Sequence, residues 1–236
     1  MIIIEICPIC NNQIILINKN INIAYCDECK FAWQYLIDKK MKQVYNDDYF
    51  DIRYRKYLQE YELNKLRLKE IIKNILNPIG VIDRKGIRIL DIGFGIGSFL
   101  KLCDIAGIKT YGYDVKENNN KITKRVDNFQ NEYDIVTLFD SIEHLELDEL
   151  NKIMNIRTSY LVISTPELSQ EVTKIENWRH YRPNEHLFYF NFASLGLLLQ
   201  KYGFEIIHSN YLEDLYRLPP NGFNKNILTI YAKKLI

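Results

Sequence analysis

Apolar residues follow two repeating patterns in the second half of the chain, and these patterns predict an alternation of strands and helices. Two apolar runs, at 89–92 and 133–139, have acidic residues at their ends, Asp91 and Asp140, and predict buried strands. After the first run, apolar residues recur at helical spacing up to a glycine, at Phe99, Leu102, Cys103, Ala106 and Gly107. The sequence therefore predicts strand, turn and helix in succession, the unit from which an open α/β sheet is built.

The C-terminal third continues the same alternation. The apolar run at 161–166 predicts a further strand, and leucines at helical spacing predict a helix over 191–203. Two last apolar runs, at 204–209 and 227–232, predict an antiparallel pair of strands.

The N-terminal part is patterned differently. Alternation around Ile14 and Leu16 and the run at 21–25 predict a short hairpin. The segment 41–57 is dense in tyrosine and acidic residues, which is typical of a packed aromatic linker. The helical pattern that follows it, with Tyr61 on its apolar face, stops at Pro78.

Composition and charge restrict the class of protein. Of the 236 residues, 47% are hydrophobic and 26% are charged, which is ordinary for a globular domain. Thirty-one basic and thirty acidic residues leave a formal net charge of +1, and there is no basic run, so we do not expect a nucleic-acid partner. The apolar N-terminus lacks a cationic lead and is interrupted by Glu5, and no apolar run reaches the ~20 residues of a membrane span. We expect a cytoplasmic protein without a membrane partner.

Four of the five cysteines form two C-x2-C pairs with fifteen residues between them: Cys7, Cys10, Cys26 and Cys29. Each pair turns two thiolates towards one point, and two pairs complete a closed tetrahedral site. This spacing predicts a zinc ribbon with one structural Zn²⁺. Two disulfides are the alternative, which a reducing cytoplasm disfavours.

The turn after the first predicted strand carries glycines at alternate positions, Gly93, Gly95 and Gly97. Glycine permits φ > 0 and lets a ligand approach the backbone closely. The spacing lacks the further glycine of a pyrophosphate-binding loop, which disfavours NAD and FAD. The next predicted strand, 110–113, ends at Asp114, where a doubly wound sheet places the carboxylate that binds ribose hydroxyls. A ribose-containing cofactor is therefore predicted, and a purely structural turn is the alternative.

This ordered series of motifs resembles the class I S-adenosylmethionine-dependent methyltransferases. The segment 91–97 is similar to their first motif, an acid followed by G-x-G-x-G. Three later segments, 133–145, 161–166 and 186–190, are similar to further parts of the family. The resemblance covers roughly residues 80 to 236.

The resemblance implies an α/β fold, the Rossmann-like seven-stranded methyltransferase fold with strand order 3-2-1-4-5-7-6, here with a small N-terminal zinc ribbon. It implies S-adenosylmethionine as the cofactor. The residues expected to hold it are Asp91, Gly93, Gly95, Gly97, Asp114, Asp127 and Asp140. The crossover that contains Asp127 is shorter than usual in the family, so a solvated loop acid is the alternative for that residue.

Three histidines are candidates for taking a proton from the methyl acceptor: His144, His180 and His186. His144 follows the strand at 133–139, whose carboxyl end borders the cofactor crevice of an open α/β sheet, and a helix-terminal structural histidine is the alternative. His180 lies in the loop 177–186, which is rich in ionisable and aromatic residues, as substrate-binding loops often are.

We divide the chain into a zinc ribbon at 1–40, an aromatic-rich helical linker or lid at 41–77, and a methyltransferase domain at 78–236. The family resemblance implies O-methylation of a small acceptor such as a sugar, sugar nucleotide or glycan precursor. Two alternatives are an RNA methyltransferase that uses the ribbon to bind RNA, and a non-catalytic binding protein that keeps the fold.

Overall fold

The computed structural model describes residues 5–14, 16–18, 20–35, 57–114, 124–126, 129, 131–168, 172–217 and 226–235. Residues 41–56 of the aromatic-rich segment 41–57 and the candidate cofactor ligand Asp127 lie outside these ranges.

The N-terminal module consists of short antiparallel strands that flank the cysteine pairs. They are β1 (Glu5–Ile6), β2 (Gln13–Ile14), β3 (Leu16–Asn18), β4 (Ile23–Cys26) and β5 (Phe31–Gln34). β1 pairs with β2, and β3, β4 and β5 pair in order. The first cysteine pair lies in the turn between β1 and β2, and the second lies in the turn between β4 and β5. The predicted hairpin at 14–25 is confirmed by the pairing of β3 with β4.

The rest of the described chain alternates strands and helices. Its strands are β6 (Arg88–Ile92), β7 (Lys109–Tyr113), β8 (Lys124–Arg125), β9 (Tyr133–Phe139), β10 (Thr158–Pro166), β11 (Phe188–Tyr189), β12 (Phe204–Asn210) and β13 (Ile227–Lys234). Its helices are α1 (Tyr57–Ile71), α2 (Ser98–Ile105), α3 (Leu147–Met154), α4 (Phe192–Lys201) and α5 (Asp214–Arg217). A single wider turn of π type, Ile72–Leu76, extends α1 up to Asn77. Three 3₁₀ turns lie at Arg84–Gly86, Ile142–His144 and Val172–Asn177.

The central sheet is mixed and mostly parallel, as the sequence predicts. Its strands lie in the order β12-β13-β10-β9-β6-β7-β8. The pairs from β10 through β8 are parallel, whereas β13 is antiparallel to both β10 and β12. After β8 the chain returns to place β9 on the other side of β6. The carboxyl ends of β6 and β9 therefore form a topological switch point, where open α/β sheets bind ligands.

Residues of the central strands alternate between two apolar clusters, because successive side chains of a strand point to opposite faces. In β6, Ile89 packs with residues of α1 and α2, whereas Leu90 packs with residues of α3 and α4. Both side chains are fully buried. The cluster around Leu90 also contains Trp33 and the four cysteines, so the N-terminal module shares a core with the central sheet.

The helices agree with the sequence patterns except at one face. α2 ends before Gly107, which has φ +83°, and α4 begins after Asn191, whose side chain caps the backbone N–H of Ser194 at 2.8 Å. On α1, the apolar pattern suggests that Tyr61 is buried, but 39% of this residue is exposed. No described helix is both long enough and apolar enough to cross a membrane.

Candidate functional site

A cavity of about 500 Å³ opens at the carboxyl ends of β6, β9 and β10. Its walls come from the glycine turn after β6, from the segment after β9, from α1, from α5 and from the loop 179–186. Of the predicted cofactor residues, Asp91, Gly93, Gly95 and Asp140 line it, and so do all three candidate histidines.

The glycine turn adopts backbone angles that other residues rarely reach. Gly93, Gly95 and Gly97 have φ of +74°, +56° and +75°. A Cβ on Gly93 would overlap the hydroxyl of Ser141 and lie 3.0 Å from its Cβ. A Cβ on Gly95 would meet no protein atom within 4 Å, because this glycine faces the cavity. Gly97 precedes the first residue of α2 and ends the turn.

Two carboxylates flank this turn. Asp91 is buried and accepts a hydrogen bond from Thr137 Oγ1 at 2.6 Å. Burial raises the pKa of Asp91 to about 7, although the bond from Thr137 and the charge of Arg67 act in the opposite direction. Asp114, at the end of β7, accepts a hydrogen bond from the backbone N–H of Gly95 at 2.9 Å.

Asp140 belongs to a cluster of two arginines and two acids. It follows β9 with φ +50°, a backbone conformation that is uncommon for a residue other than glycine. Its carboxylate contacts Arg217 Nη1 at 2.6 Å and Arg67 Nη2 at 3.4 Å. Glu213 completes the cluster by accepting two hydrogen bonds from Arg67, at 2.8 and 2.9 Å, and one from Arg217.

Ion pairing outweighs burial in setting the pKa values of this cluster. Burial alone would raise the pKa of Glu213, but the charges of Arg67 and Arg217 hold it below its ordinary value. Burial alone would lower the pKa of Arg217, but Asp140 and Glu213 raise it. The Arg67 guanidinium also lies 4.2 Å from the ring centroid of Phe139. The sequence patterns did not identify Arg67, Glu213 or Arg217. The first lies on α1, the other two lie just before and within α5, and none of them matches a motif.

Glu143, His144 and His186 meet on one wall of the cavity. His144 Nδ1 lies 2.8 Å from the backbone oxygen of Glu185, and the rings of His144 and His186 are perpendicular with centroids 4.7 Å apart. Glu143 is buried and accepts a hydrogen bond from Thr165 Oγ1 at 3.0 Å. Burial and the negative charge of Asp140 raise the pKa of Glu143 to about 8.

His180 and His186 are both buried, whereas His144 is partly exposed. Burial and neighbouring positive charges lower the pKa of His186 to about 3 and that of His180 to about 4. His180 Nε2 is a buried polar atom without a hydrogen-bond partner in the described structure. Its ring packs against Trp178, with centroids 5.2 Å apart.

The four cysteines of the N-terminal module form a second candidate site. Their sulfur atoms all lie within 4.8 Å of one another, and Cys10 Sγ and Cys26 Sγ are 3.7 Å apart. A tetrahedral zinc with Zn–S bonds of ~2.3 Å separates its sulfurs by about 3.8 Å. All four cysteines are free thiols, which contradicts the alternative of two disulfides. The donor set and its spacing fit one Zn²⁺ with no open position.

The N-terminal module also contacts the loop that carries His180 and His186. β5 pairs with β11, so that Trp33 faces Phe188. The side chain of Gln34 accepts from the backbone N–H of Asn184 and donates to its side chain, each at 2.6 Å. The four-stranded sheet β3-β4-β5-β11 therefore crosses the boundary that we expect between the ribbon and the methyltransferase domain.

Comparison with known proteins gives a family and a fold. The family model described as "Methyltransferase domain" matches residues 55–209. A search of curated protein sequences found no match. Among solved structures, magnesium protoporphyrin IX methyltransferase from Synechocystis PCC 6803 with bound SAH has a TM-score of 0.58 at 16% identity, covering 84% of this chain and 100% of that one.

Two further structures share the fold. A SAM-dependent methyltransferase from Archaeoglobus fulgidus has a TM-score of 0.52 at 22% identity, covering 74% of this chain and 94% of that one. A putative S-adenosylmethionine-dependent methyltransferase from Listeria monocytogenes has a TM-score of 0.51 at 15% identity, covering 74% and 99%. At such identities the likeness concerns the fold alone.

Proposed function

We propose, on the premise that the chain belongs to the methyltransferase domain family, that it transfers a methyl group from S-adenosylmethionine to the oxygen of a small acceptor. A sugar, a sugar nucleotide or a glycan precursor is the acceptor class that the sequence resemblance implies. The observation that carries the proposal is the cavity itself, which joins the glycine turn to a wall of titratable side chains.

The residues around the glycine turn suit this cofactor. Gly95 leaves open space where a ligand would lie, Gly93 lets the turn pack closely against Ser141, and Gly97 leads into α2. Asp114 lies at the end of β7, where a carboxylate would bind the ribose hydroxyls. Asp91 is a buried carboxyl on the cavity wall, where it would pair with the ammonium group of the methionine moiety. S-adenosylmethionine, when bound, supplies an electrophilic methyl group on a positively charged sulfur.

The protein must then align the acceptor, exclude water and remove a proton from a hydroxyl. The lowered pKa values of His180 and His186 make both imidazoles weak proton acceptors. His144 is partly exposed to the cavity, and its Nδ1 must carry a hydrogen because it faces the carbonyl oxygen of Glu185. Its Nε2 therefore carries the lone pair, which makes His144 our candidate general base, with His180 and His186 shaping the acceptor site.

The sequence resemblance implies that Asp140 binds the cofactor, and we propose a different role for it. Its ion pairs with Arg67 and Arg217 tie α1 and α5 to the end of β9. We propose that it holds the two helices against the cofactor end of the cavity. The four cysteines would bind one structural Zn²⁺ that supports the N-terminal module.

Calorimetry and a methyl-transfer assay test the proposal. The parent protein should bind S-adenosylmethionine, Asp114→Ala should weaken binding, and Gly95→Val should abolish it by filling the ligand's space. Asp104→Ala, an exposed change on α2, is the matched control. If Asp114→Ala binds the cofactor as tightly as the parent, the ribose assignment is wrong.

Transfer of a labelled methyl group should be measured with nucleotide sugars and with RNA as acceptors. With an active acceptor, His144→Ala should lower kcat by roughly 10²-fold or more while cofactor affinity stays within a few-fold. If kcat of His144→Ala stays near that of the parent, another group removes the proton from the acceptor. Methylation of RNA alone would replace the small-acceptor proposal.

A further inference from the structure

Glu143, His144 and His186 lie closer together than proton transfer by one histidine requires. Each offers one oxygen or nitrogen donor atom, and these three atoms lie within 4.8 Å of one another on the cavity wall. The first two residues come from the 3₁₀ turn Ile142–His144 after β9, and the third precedes β11. The backbone N–H of Leu187 donates to the backbone oxygen of Glu143 at 2.6 Å, which fixes the two segments against each other.

A hydrogen bond with a backbone group orients one of the two imidazoles. His144 Nδ1 donates a hydrogen to the carbonyl of Glu185 at 2.8 Å, which places the lone pair of this ring on Nε2. Histidines that bind metals almost always donate the second ring N–H to a carbonyl, a carboxylate or water. His144 shows this arrangement.

The carboxyl group of Glu143 is also prepared for a cation. It is 2% exposed, and its Oε2 accepts from Thr165 Oγ1 at 3.0 Å. Within the described residues it forms no ion pair with a lysine or an arginine. A carboxyl group so deeply buried without an ion pair is expected to be protonated or to bind a cation. Arg217, whose positive charge acts on the Glu143 carboxyl, is already paired with Asp140 and Glu213.

We propose that Glu143, His144 and His186 bind a divalent transition-metal cation. Two imidazoles and one carboxylate on one side of an ion suit Zn²⁺, Co²⁺ or Fe²⁺ and leave coordination positions open. All three residues line the cavity, where an acceptor oxygen would enter. This last step rests on the proposed function. A bound cation would lower the pKa of an acceptor hydroxyl, and His144 would then act as a metal ligand rather than as the base.

Cobalt titration tests the site without any acceptor. The 236-residue protein is loaded with one Zn²⁺ at the cysteines, treated with a weak chelator and titrated with Co²⁺. We expect one Co²⁺ per chain, with visible d–d bands and without the near-ultraviolet charge-transfer bands of cobalt thiolates. His186→Ala should raise the Kd for Co²⁺ tenfold or more. His208→Ala should leave it unchanged, because His208 lies in β12 beside Asn210 and Tyr231.

Glu143→Gln is the second variant, because it keeps the shape of the side chain if His186→Ala folds poorly. It should also raise the Kd for Co²⁺ tenfold or more, while circular dichroism and cofactor affinity show an intact fold. Absence of Co²⁺ binding beyond the cysteines, or equal binding by parent and Glu143→Gln, would overturn the cation site. Co²⁺ binding without methylation of any hydroxyl acceptor would overturn the proposed function and leave the cation site standing. Full turnover by a chelator-treated protein that binds no Co²⁺ would overturn the cation site and leave the proposed function standing.

Discussion

Asp91→Asn should stabilise the protein near neutral pH, and the size of the gain should depend on pH. Burial raises the pKa of Asp91 from 3.8 to about 7 in the folded protein. The folded state therefore holds the proton of this carboxyl over a pH range in which the unfolded chain has released it. Below pH 4 both states are protonated and there is no penalty. As pH rises from 4 to 7, the unfolded state gains stability relative to the folded one.

The magnitude follows from the shift. One pKa unit corresponds to ~1.4 kcal/mol, so a shift of about three units makes the penalty about 4 kcal/mol above pH 7. Asparagine carries no charge, and its Oδ1 can still accept the hydrogen bond that Thr137 donates to Asp91. Asp91→Asn should therefore remove most of this penalty while preserving the local contact. It should also weaken binding of a cationic cofactor, an exchange of stability against function that is common at active sites.

Denaturant unfolding at a series of pH values between 4 and 8 measures the difference. We expect the variant and the parent to have equal free energies of unfolding near pH 4, and the variant to gain up to about 4 kcal/mol by pH 8. Asp104→Asn, the same chemical change at an exposed site on α2, is the control and should show no such trend. A constant difference between Asp91→Asn and the parent across this range would refute the burial argument.

Three further predictions follow from the described contacts. Gly93→Ala should lower the free energy of unfolding by about 1–3 kcal/mol, because its Cβ would overlap Ser141 and its φ is positive. The loss should be larger than that of Gly95→Ala, where a Cβ would enter open space, and equal losses would contradict the close contact. Arg217→Met should cost about 3–5 kcal/mol in denaturant unfolding, because it leaves buried carboxylates with fewer partners, and a loss below 1 kcal/mol would contradict the burial of this cluster. Cys26→Ser should contain one zinc ion per chain fewer than the parent by elemental analysis and should have a lower thermal midpoint, whereas Cys103→Ser, at a buried thiol of α2, should keep the zinc content of the parent. An unchanged zinc content in Cys26→Ser would contradict the cysteine site.

The sequence predicts best where one local rule decides the structure. The glycine turn, the strand before it and the helix after it depend on neighbouring residues, and the structure has all three. The spacing of the two cysteine pairs likewise decides their convergence. Position at the end of β9 places Asp140 and His144 on the cavity, as expected from the rule for parallel strands.

Contacts between distant segments are not written in any local pattern. Arg67 and Glu213 are 146 residues apart, and only the packing of α1 against α5 brings them together. The same holds for the role of Asp140, whose carboxylate pairs with arginines from both helices. The meeting of His144 with His186 also depends on how the segment before β11 returns to the sheet. Residues in these contacts could be named as candidates, but their partners could not.

The pairing of β5 with β11 has a consequence for engineering acceptor specificity. Without the N-terminal module, β11, which contains the buried Phe188, would present an unpaired edge, and exposed apolar edges promote aggregation. The loop 179–186 also depends on Gln34 for the position of Asn184, whose φ is +65°. A chimera that takes this loop from a related enzyme should therefore take β4 and β5 from the same donor. The unit that can be exchanged between relatives is discontinuous in sequence, and one of its two pieces lies near the N-terminus.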